Sequence, residues 1–392
     1  MSRPAVASSF PATVALVLAV VQLITILIPA AIVVEARTKT IPAEPSQLDE
    51  WIAHNMREYR QRKANETGAK TLDPRLAKAE DCARIITVKQ DGQGNFSTIT
   101  QAIESIPSGN RERVVVWIGG GTYREKITID SSKPFVTLYG QTGKMPVISY
   151  DGTASEFGTA ESATVAVESD YFVAVNVAFV NSAPMPDAGR TGGQAVAMRI
   201  SGDKAAFHHC QFIGFQDTLC DDRGRHFFKD CYIEGTVDFI FGNGKSLYLK
   251  TVINSVAEGT GVITAQAREN STDDSGFTFA YCNITGTGNT YLGRAWKERT
   301  RVVFAYTYMG TLINTQGWSD KMQGTEPRKS MYYGEYKCKG PGADSTGRAH
   351  YTRILTDYEA KAFLSMTYIH GNKWVLPPPR LSLLPVSSQC HG

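Results

Sequence analysis

Val177-Ala178-Phe179, Cys210-Gln211-Phe212, Cys231-Tyr232-Ile233, Thr251-Val252-Ile253 and Cys282-Asn283-Ile284 are five triplets of one type, each a small residue followed two places later by a large apolar one. They recur at intervals of roughly 20 to 33 residues, an irregular repeat of the kind that stacked β-coils leave in a sequence. Around them, from Arg84 to about Trp374, short β-branched and aromatic runs alternate with Gly, Asn and Asp, and long helical periodicity is scarce. The pattern predicts an all-β solenoid. A β-sandwich or barrel also has many short strands and stays open as the alternative.

The candidate strands include Ile85–Val88, Val114–Ile118, Ile127–Ile129, Val136–Leu138, Thr164–Val167, Val173–Phe179, Ala195–Ile200, Ala206–Phe212, His226–Ile233, Asp238–Phe241, Ser246–Lys250, Gly261–Thr264, Phe277–Tyr281 and Val302–Tyr306. One helix interrupts them. Between Ser97 and Ile106, Ile99, Ala102, Ile103 and Ile106 fall on one face, which suits a short helix capping the open end of a strand stack.

The 392 residues, 42% hydrophobic, are ample for a large core, and a formal charge of +3 argues against a dedicated nucleic-acid binder. Residues 14–34 form an apolar run after Arg3. This predicts a signal peptide over residues 1–36, with an uncleaved anchor as the alternative. Residues 37–83 read as a polar N-terminal arm with a helical stretch around Trp51–Lys63, residues 84–376 as the β domain and 377–392 as a tail. Sequons at Asn65, Asn95, Asn270 and Asn283 fit an exported glycoprotein. Seven cysteines, Cys82, Cys210, Cys220, Cys231, Cys282, Cys338 and Cys390, show no metal-binding spacing, and one or two disulfides would leave at least one thiol.

The chemistry sits at Gln194, Gln216-Asp217 and Asp238, separated by 22 and 21 residues. In a parallel stack, residues one repeat apart lie about 4.8 Å above one another, so these side chains can form one column. Two carboxylates that close cannot both ionise cheaply, which suits an acid paired with a nucleophile. Asp238 is the expected nucleophile toward an ester carbonyl, and Asp217 the proton donor and later the base. Gln194 and Gln216 offer amide donors for an oxyanion. Arg294 offers a cation for Asp238, and Trp296 a flat surface for a sugar ring.

Other chemistries lack support. No Gly-x-Ser-x-Gly elbow, Walker loop or His-Glu-x-x-His motif occurs, and adjacent His208 and His209 on a strand would face opposite ways. Asp221-Asp222 and Asp273-Asp274 read as solvated loops.

The segments Gly121-Thr122-Tyr123-Arg124-Glu125, Gln194-Ala195-Val196-Ala197-Met198-Arg199, Gly214-Phe215-Gln216-Asp217-Thr218-Leu219, Gly235-Thr236-Val237-Asp238-Phe239-Ile240-Phe241-Gly242 and Leu292-Gly293-Arg294-Ala295-Trp296 resemble, in order, motifs of the pectin methylesterase (pectinesterase) family of plant cell walls. The resemblance implies a single-stranded right-handed parallel β-helix with a short N-terminal capping helix. It also implies no metal or organic cofactor, and hydrolysis of galacturonate methyl esters in methylesterified pectin to carboxylate and methanol. By the same resemblance Asp217 is the acid/base, Asp238 the nucleophile and Gln216 the main oxyanion stabiliser. Gln194, Arg294 and Trp296 then contact substrate or nucleophile, and Thr159, in Gly158-Thr159-Ala160-Glu161, is a further substrate contact. A secreted monomer of the cell wall is expected, with a proteinaceous pectinesterase inhibitor as a candidate partner.

Two departures qualify the match. Cys220 stands where many relatives have an aromatic residue, and residues 37–83 are too short for the inhibitor-like helical bundle of many plant members, so autoinhibition by such a domain is not expected. The competing functions are a pectin depolymerase, which would need no paired glutamines, and a non-catalytic polysaccharide-binding solenoid.

Overall fold

One position before each triplet the chain turns a corner in the left-handed region: Asn176, His209, Asp230, Lys250 and Tyr281 have φ of 55°, 53°, 54°, 54° and 54°. Each such non-glycine residue costs roughly 1–2 kcal/mol, and the stack compensates by keeping its amide in the ladder. His209 N–H donates to Lys229 O at 3.0 Å, Asp230 N–H to Leu249 O at 3.0 Å and Lys250 N–H to Ala280 O at 3.0 Å. These corners divide three of the expected strands. Val173–Phe179 becomes Val173–Val175 and Ala178–Asn181, Ala206–Phe212 becomes Ala205–His208 and Gln211–Ile213, and His226–Ile233 becomes Arg225–Lys229 and Tyr232–Gly235.

The computed structural model describes residues 40–57, 72–187, 189–319, 330–379 and 381. The apolar run at 14–34, Asn65, Cys390 and most of the expected tail lie outside them. The chain divides into two units, Met1–Asn55 and Met56–Gly392. Within the first, Pro45–Gln47 is a 3-10 turn leading into the helix Leu48–Asn55.

The second unit is a parallel β-helix. Among the described residues, eleven strands, from Ala83–Val88 to Thr352–Ile354, pair in parallel to form the first face, in strict chain order. Fourteen more of the described strands form a sheet folded into two further faces, because the long strands Val252–Gln266 and Asn283–Ala295 run around the corner between them. Such a stack satisfies every central strand on both sides, and among the described residues the strand pairings are parallel throughout. The coil takes the right-handed sense of parallel crossover connections.

The triplets line the interior. Their first residues are buried, and Phe179, Phe212, Ile233, Ile253 and Ile284 at the third place are fully enclosed. Across from them an aromatic column rises one rung per coil. Phe207 stacks on Phe228 at 4.7 Å, Phe228 on Tyr248 at 4.4 Å, Tyr248 on Phe279 at 4.5 Å and Phe279 on Phe304 at 4.5 Å. These spacings follow the strand separation.

The expected capping helix spans Ile99–Glu104, with Thr98 accepting a hydrogen bond from Gln101 N–H and Ile99, Ala102 and Ile103 buried. Glu125 accepts from Ile99 N–H at 3.0 Å and Thr100 N–H at 2.8 Å, a carboxylate at the electropositive end of the helix. Its place in the 121–125 motif is therefore accounted for by the cap. Cys82 is disulfide-bonded, while Cys210, Cys220, Cys231, Cys282 and Cys338 are free thiols.

Candidate active site

Asp217 and Asp238 occupy equivalent corners between the second and third faces, with φ of 65° and 51°. Aspartate tolerates this conformation better than most residues. The strands that follow, Leu219–Asp221 and Ile240–Gly242, pair Leu219 with Ile240 and Cys220 with Phe241, and Asp217 N–H donates to Val237 O at 3.1 Å. The two aspartates are therefore adjacent rungs, about 4.8 Å apart along the stack. Gly235 makes room for the second corner: a Cβ there would lie 2.2 Å from Phe239 Cβ and 2.7 Å from Phe215 O.

Both side chains are largely buried, Asp217 at 8% exposure and Asp238 at 5%, yet their surroundings differ. Arg294 Nε donates to both oxygens of Asp238, at 2.8 and 2.9 Å, and Nη2 donates to Oδ2 at 2.5 Å. That fork fits a carboxylate. Arg294 reaches it from two strands away because the intervening residue, paired with both Phe241 and Arg294, is the small Ala265. Asp217 has no such partner among the described residues. Burial first, then the charge of Asp238, pushes its carboxyl well above the usual range, with Arg294 opposing. One aspartate is thus built to keep its proton beside another held as an acceptor.

The glutamines stack at the same corner. Ala195 N–H donates to Gln216 O at 3.1 Å, setting Gln194 in line with Gln216, which directly precedes Asp217. Both are half-buried, and among the described residues neither side-chain amide has a hydrogen-bond partner. Trp296 is 46% exposed and tilts against Phe241 at 5.8 Å. Thr159 lies in the turn whose Ala154 N–H donates to Gln194 O at 2.7 Å and whose Ser162 Oγ accepts from Val196 N–H at 3.1 Å. The turn is tied to the Gln194 segment, but among the described residues no hydrogen bond of the Thr159 side chain joins it to the aspartates.

Several residues escaped sequence reasoning. Outside the main core, Ala163, Ala166, Val196, Cys220, Phe241 and Ala265 form a separate apolar cluster on the outward side of the third face, beside the aspartates. Cys220, noted in the sequence only as a departure from the aromatic residue of many relatives, is part of this floor. Burial, followed by Asp222, pushes its thiol well up, so it acts as an apolar group. Strand alternation was the available signal, since Ile240 points inward and Phe241 therefore outward.

The reading of Asp221 as part of a solvated loop is overturned. Asp221 is fully buried, within 2.5 Å of His226 Nδ1, and accepts from Tyr248 O–H at 2.6 Å. Asp221 ends the strand Leu219–Asp221 and pairs with the buried Ile200, so the alternation that sends Cys220 outward sends the Asp221 side chain inward, where His226 and Tyr248 from the first face meet it. Asp274, by contrast, is exposed. His208 is buried and His209 is exposed, so they share no site. Among the described residues no group of three or more His, Cys, Asp or Glu side chains is arranged to hold a metal.

A family model described as Pectinesterase matches residues 85–372. Pectinesterase 2 of Olea europaea is 46% identical over 358 residues, covering 91% of this chain and 96% of its own. A relative from Arabidopsis thaliana named "Probable pectinesterase 50" is 49% identical over 351 residues, covering 89% and 95%. Among solved structures, the pectin methylesterase from carrot superposes with a TM-score of 0.70 at 30% identity, over 75% of this chain and 97% of that one.

Proposed function

The chain belongs to the pectinesterase family, and from that premise we propose that it hydrolyses methyl esters of galacturonate units in pectin, releasing methanol and leaving free carboxylates. The observation that carries this reading is the pair of stacked aspartates with opposite surroundings, Asp238 gripped by Arg294 and Asp217 kept protonated by burial and by its neighbour.

An Asp238 oxygen attacks the ester carbonyl, and the amides of Gln216 and Gln194 receive the developing oxyanion. As the tetrahedral intermediate collapses, Asp217 gives its proton to the departing methanol, leaving an acyl-aspartate. Asp217, now charged, removes a proton from water, which attacks the acyl carbon and frees Asp238. Arg294 keeps Asp238 oriented through both steps. The apolar floor and Trp296 receive the sugar rings and the ester methyl.

Action on pectin takes place outside the cell, in the wall. The apolar run at 14–34 serves as the export signal, the protein works as a monomer without a cofactor, and a proteinaceous inhibitor is a candidate partner. The test supplies highly methylated pectin and measures methanol together with chain length. Methanol without shortening, lost in Asp238→Ala, is the expected result. Shortened chains without methanol would reject the esterase in favour of a depolymerase.

A further inference from the structure

Four large hydrophobic side chains are exposed among the described residues: Trp296, Tyr308, Ile354 and Tyr358. Trp296 belongs to the groove, but Tyr308, 48% exposed, lies on the outward side of the second face. Strand pairing sets it directly beside Asn283, and Asn283 beside Val252. A half-buried aliphatic, an exposed amide and an exposed ring thus form successive rungs about 4.8 Å apart.

Asn283 opens the sequon Asn283-Ile284-Thr285. Ile284 is fully buried, so Asn283 and Thr285 share the outward side. Thr285 Oγ1 donates to Asn254 Oδ1 at 3.1 Å, and Asn254 Nδ2 donates to Glu234 Oε2 at 2.9 Å, which anchors the hydroxyl end of the sequon. The Asn283 amide has no hydrogen-bond partner among the described residues. The other described sequons differ. Asn95 Oδ1 accepts from Thr87 N–H at 2.8 Å and Thr87 Oγ1 at 3.0 Å, which ties that amide into a turn. Asn270 is exposed, but none of the exposed large hydrophobics belongs to its loop.

We infer that Asn283 carries an N-linked glycan whose first N-acetylglucosamine lies across the ring of Tyr308. The inference rests on the export reading above. The Asn283 nitrogen displaces the pyrophosphate from C1 of a lipid-pyrophosphate-linked oligosaccharide. A C1–N bond forms, the C1–O bond breaks, the nitrogen loses one proton to the transferase's base, and the lipid pyrophosphate leaves. The apolar face of the sugar then covers the tyrosine while its hydroxyls stay in water. Asn283 begins the strand that Ala295 ends, next to the corner with the first face, so the glycan stands clear of the aspartates.

The full chain is expressed through the secretory route of a plant cell, and its peptides are mapped by mass spectrometry before and after enzymatic glycan release. The expected result is a glycan on Asn283 in most molecules, its loss in Asn283→Gln, and unchanged methanol release in that variant. Enzymatic deglycosylation should lower Tm in the wild type and leave it unchanged in Tyr308→Ala. A bare Asn283 with glycans on other sequons overturns this inference and leaves the export reading standing; no glycan on any sequon overturns both. An occupied Asn283 with equal Tm losses in the two backgrounds overturns the seat on Tyr308.

Discussion

The two aspartates are the same residue in nearly the same backbone conformation, and only their neighbours separate their roles. Asp217→Asn keeps the shape and removes the proton chemistry, so kcat in the methanol assay should fall by about 10²- to 10⁴-fold with little change in KM. Near-normal turnover would remove Asp217 from the mechanism. Arg294→Lys keeps a charge but loses the fork on Asp238; losing a charged hydrogen bond worth about 1.5–3 kcal/mol predicts a drop in kcat of roughly 10- to 100-fold. Full activity in the lysine variant would show that charge alone suffices. The column of Gln194, Gln216, Asp217 and Asp238 was legible because a coil of 21 or 22 residues puts polar groups one above another on one corner. Asp221 was not, because a pair of adjacent aspartates looks solvated until the register of the strand Leu219–Asp221 is known and its alternation turns one of them inward toward His226.

The β-coils were legible as elements for a related reason: the triplets encode what the interior needs, a small residue after each corner and a large apolar one two places on. The corners themselves were hidden. Asn176, His209, Asp230, Lys250 and Tyr281 share a left-handed φ but no side-chain type, and no glycine marks the break, so pairs of strands read as one. Strand Asn283–Ala295 was missed because Gly286, Gly288 and its polar residues suppress the apolar signal while ladder pairing to its neighbour sustains it. The aromatic column should stabilise the coils cooperatively. Phe228, fully buried between Phe207 and Tyr248, should lose about 3–5 kcal/mol on Phe228→Ala in urea unfolding. Phe228→Leu, which fills most of the volume, should cost clearly less; equal losses would mean that stacking rather than cavity formation sets the penalty.

For the molecule as a whole, buried and half-buried ionisable groups set opposing slopes of stability with pH. Burial raises the Asp203 carboxyl, but hydrogen bonds from Arg225 outweigh it and leave it below its ordinary 3.8. Its contribution is present above that value and lost as pH falls through the folded one. His226 behaves in the opposite sense. Burial pulls its imidazolium down, but the charge and hydrogen bond of Asp221 and the Gly202 carbonyl more than offset this, so it sits above its ordinary 6.5. Asp203 adds a further negative charge that acts on it, and Tyr248 O–H donates to the other oxygen of the same Asp221 carboxylate. The contribution of His226 is complete below 6.5 and disappears as pH rises through the folded value. Asp217, also raised, favours the fold while protonated and opposes it once ionised. Two difference curves of Tm across about pH 3 to 9 test this linkage. The deficit of His226→Gln relative to wild type should be largest below 6.5 and shrink at alkaline pH. Asp217→Asn should match the wild type near 3.8 and gain on it as pH rises, trading stability against the activity that the buried acid provides. A deficit of His226→Gln that grows with pH would mean that the histidine is buried neutral, and a flat Asp217→Asn curve would mean that the aspartate is not held protonated by the fold.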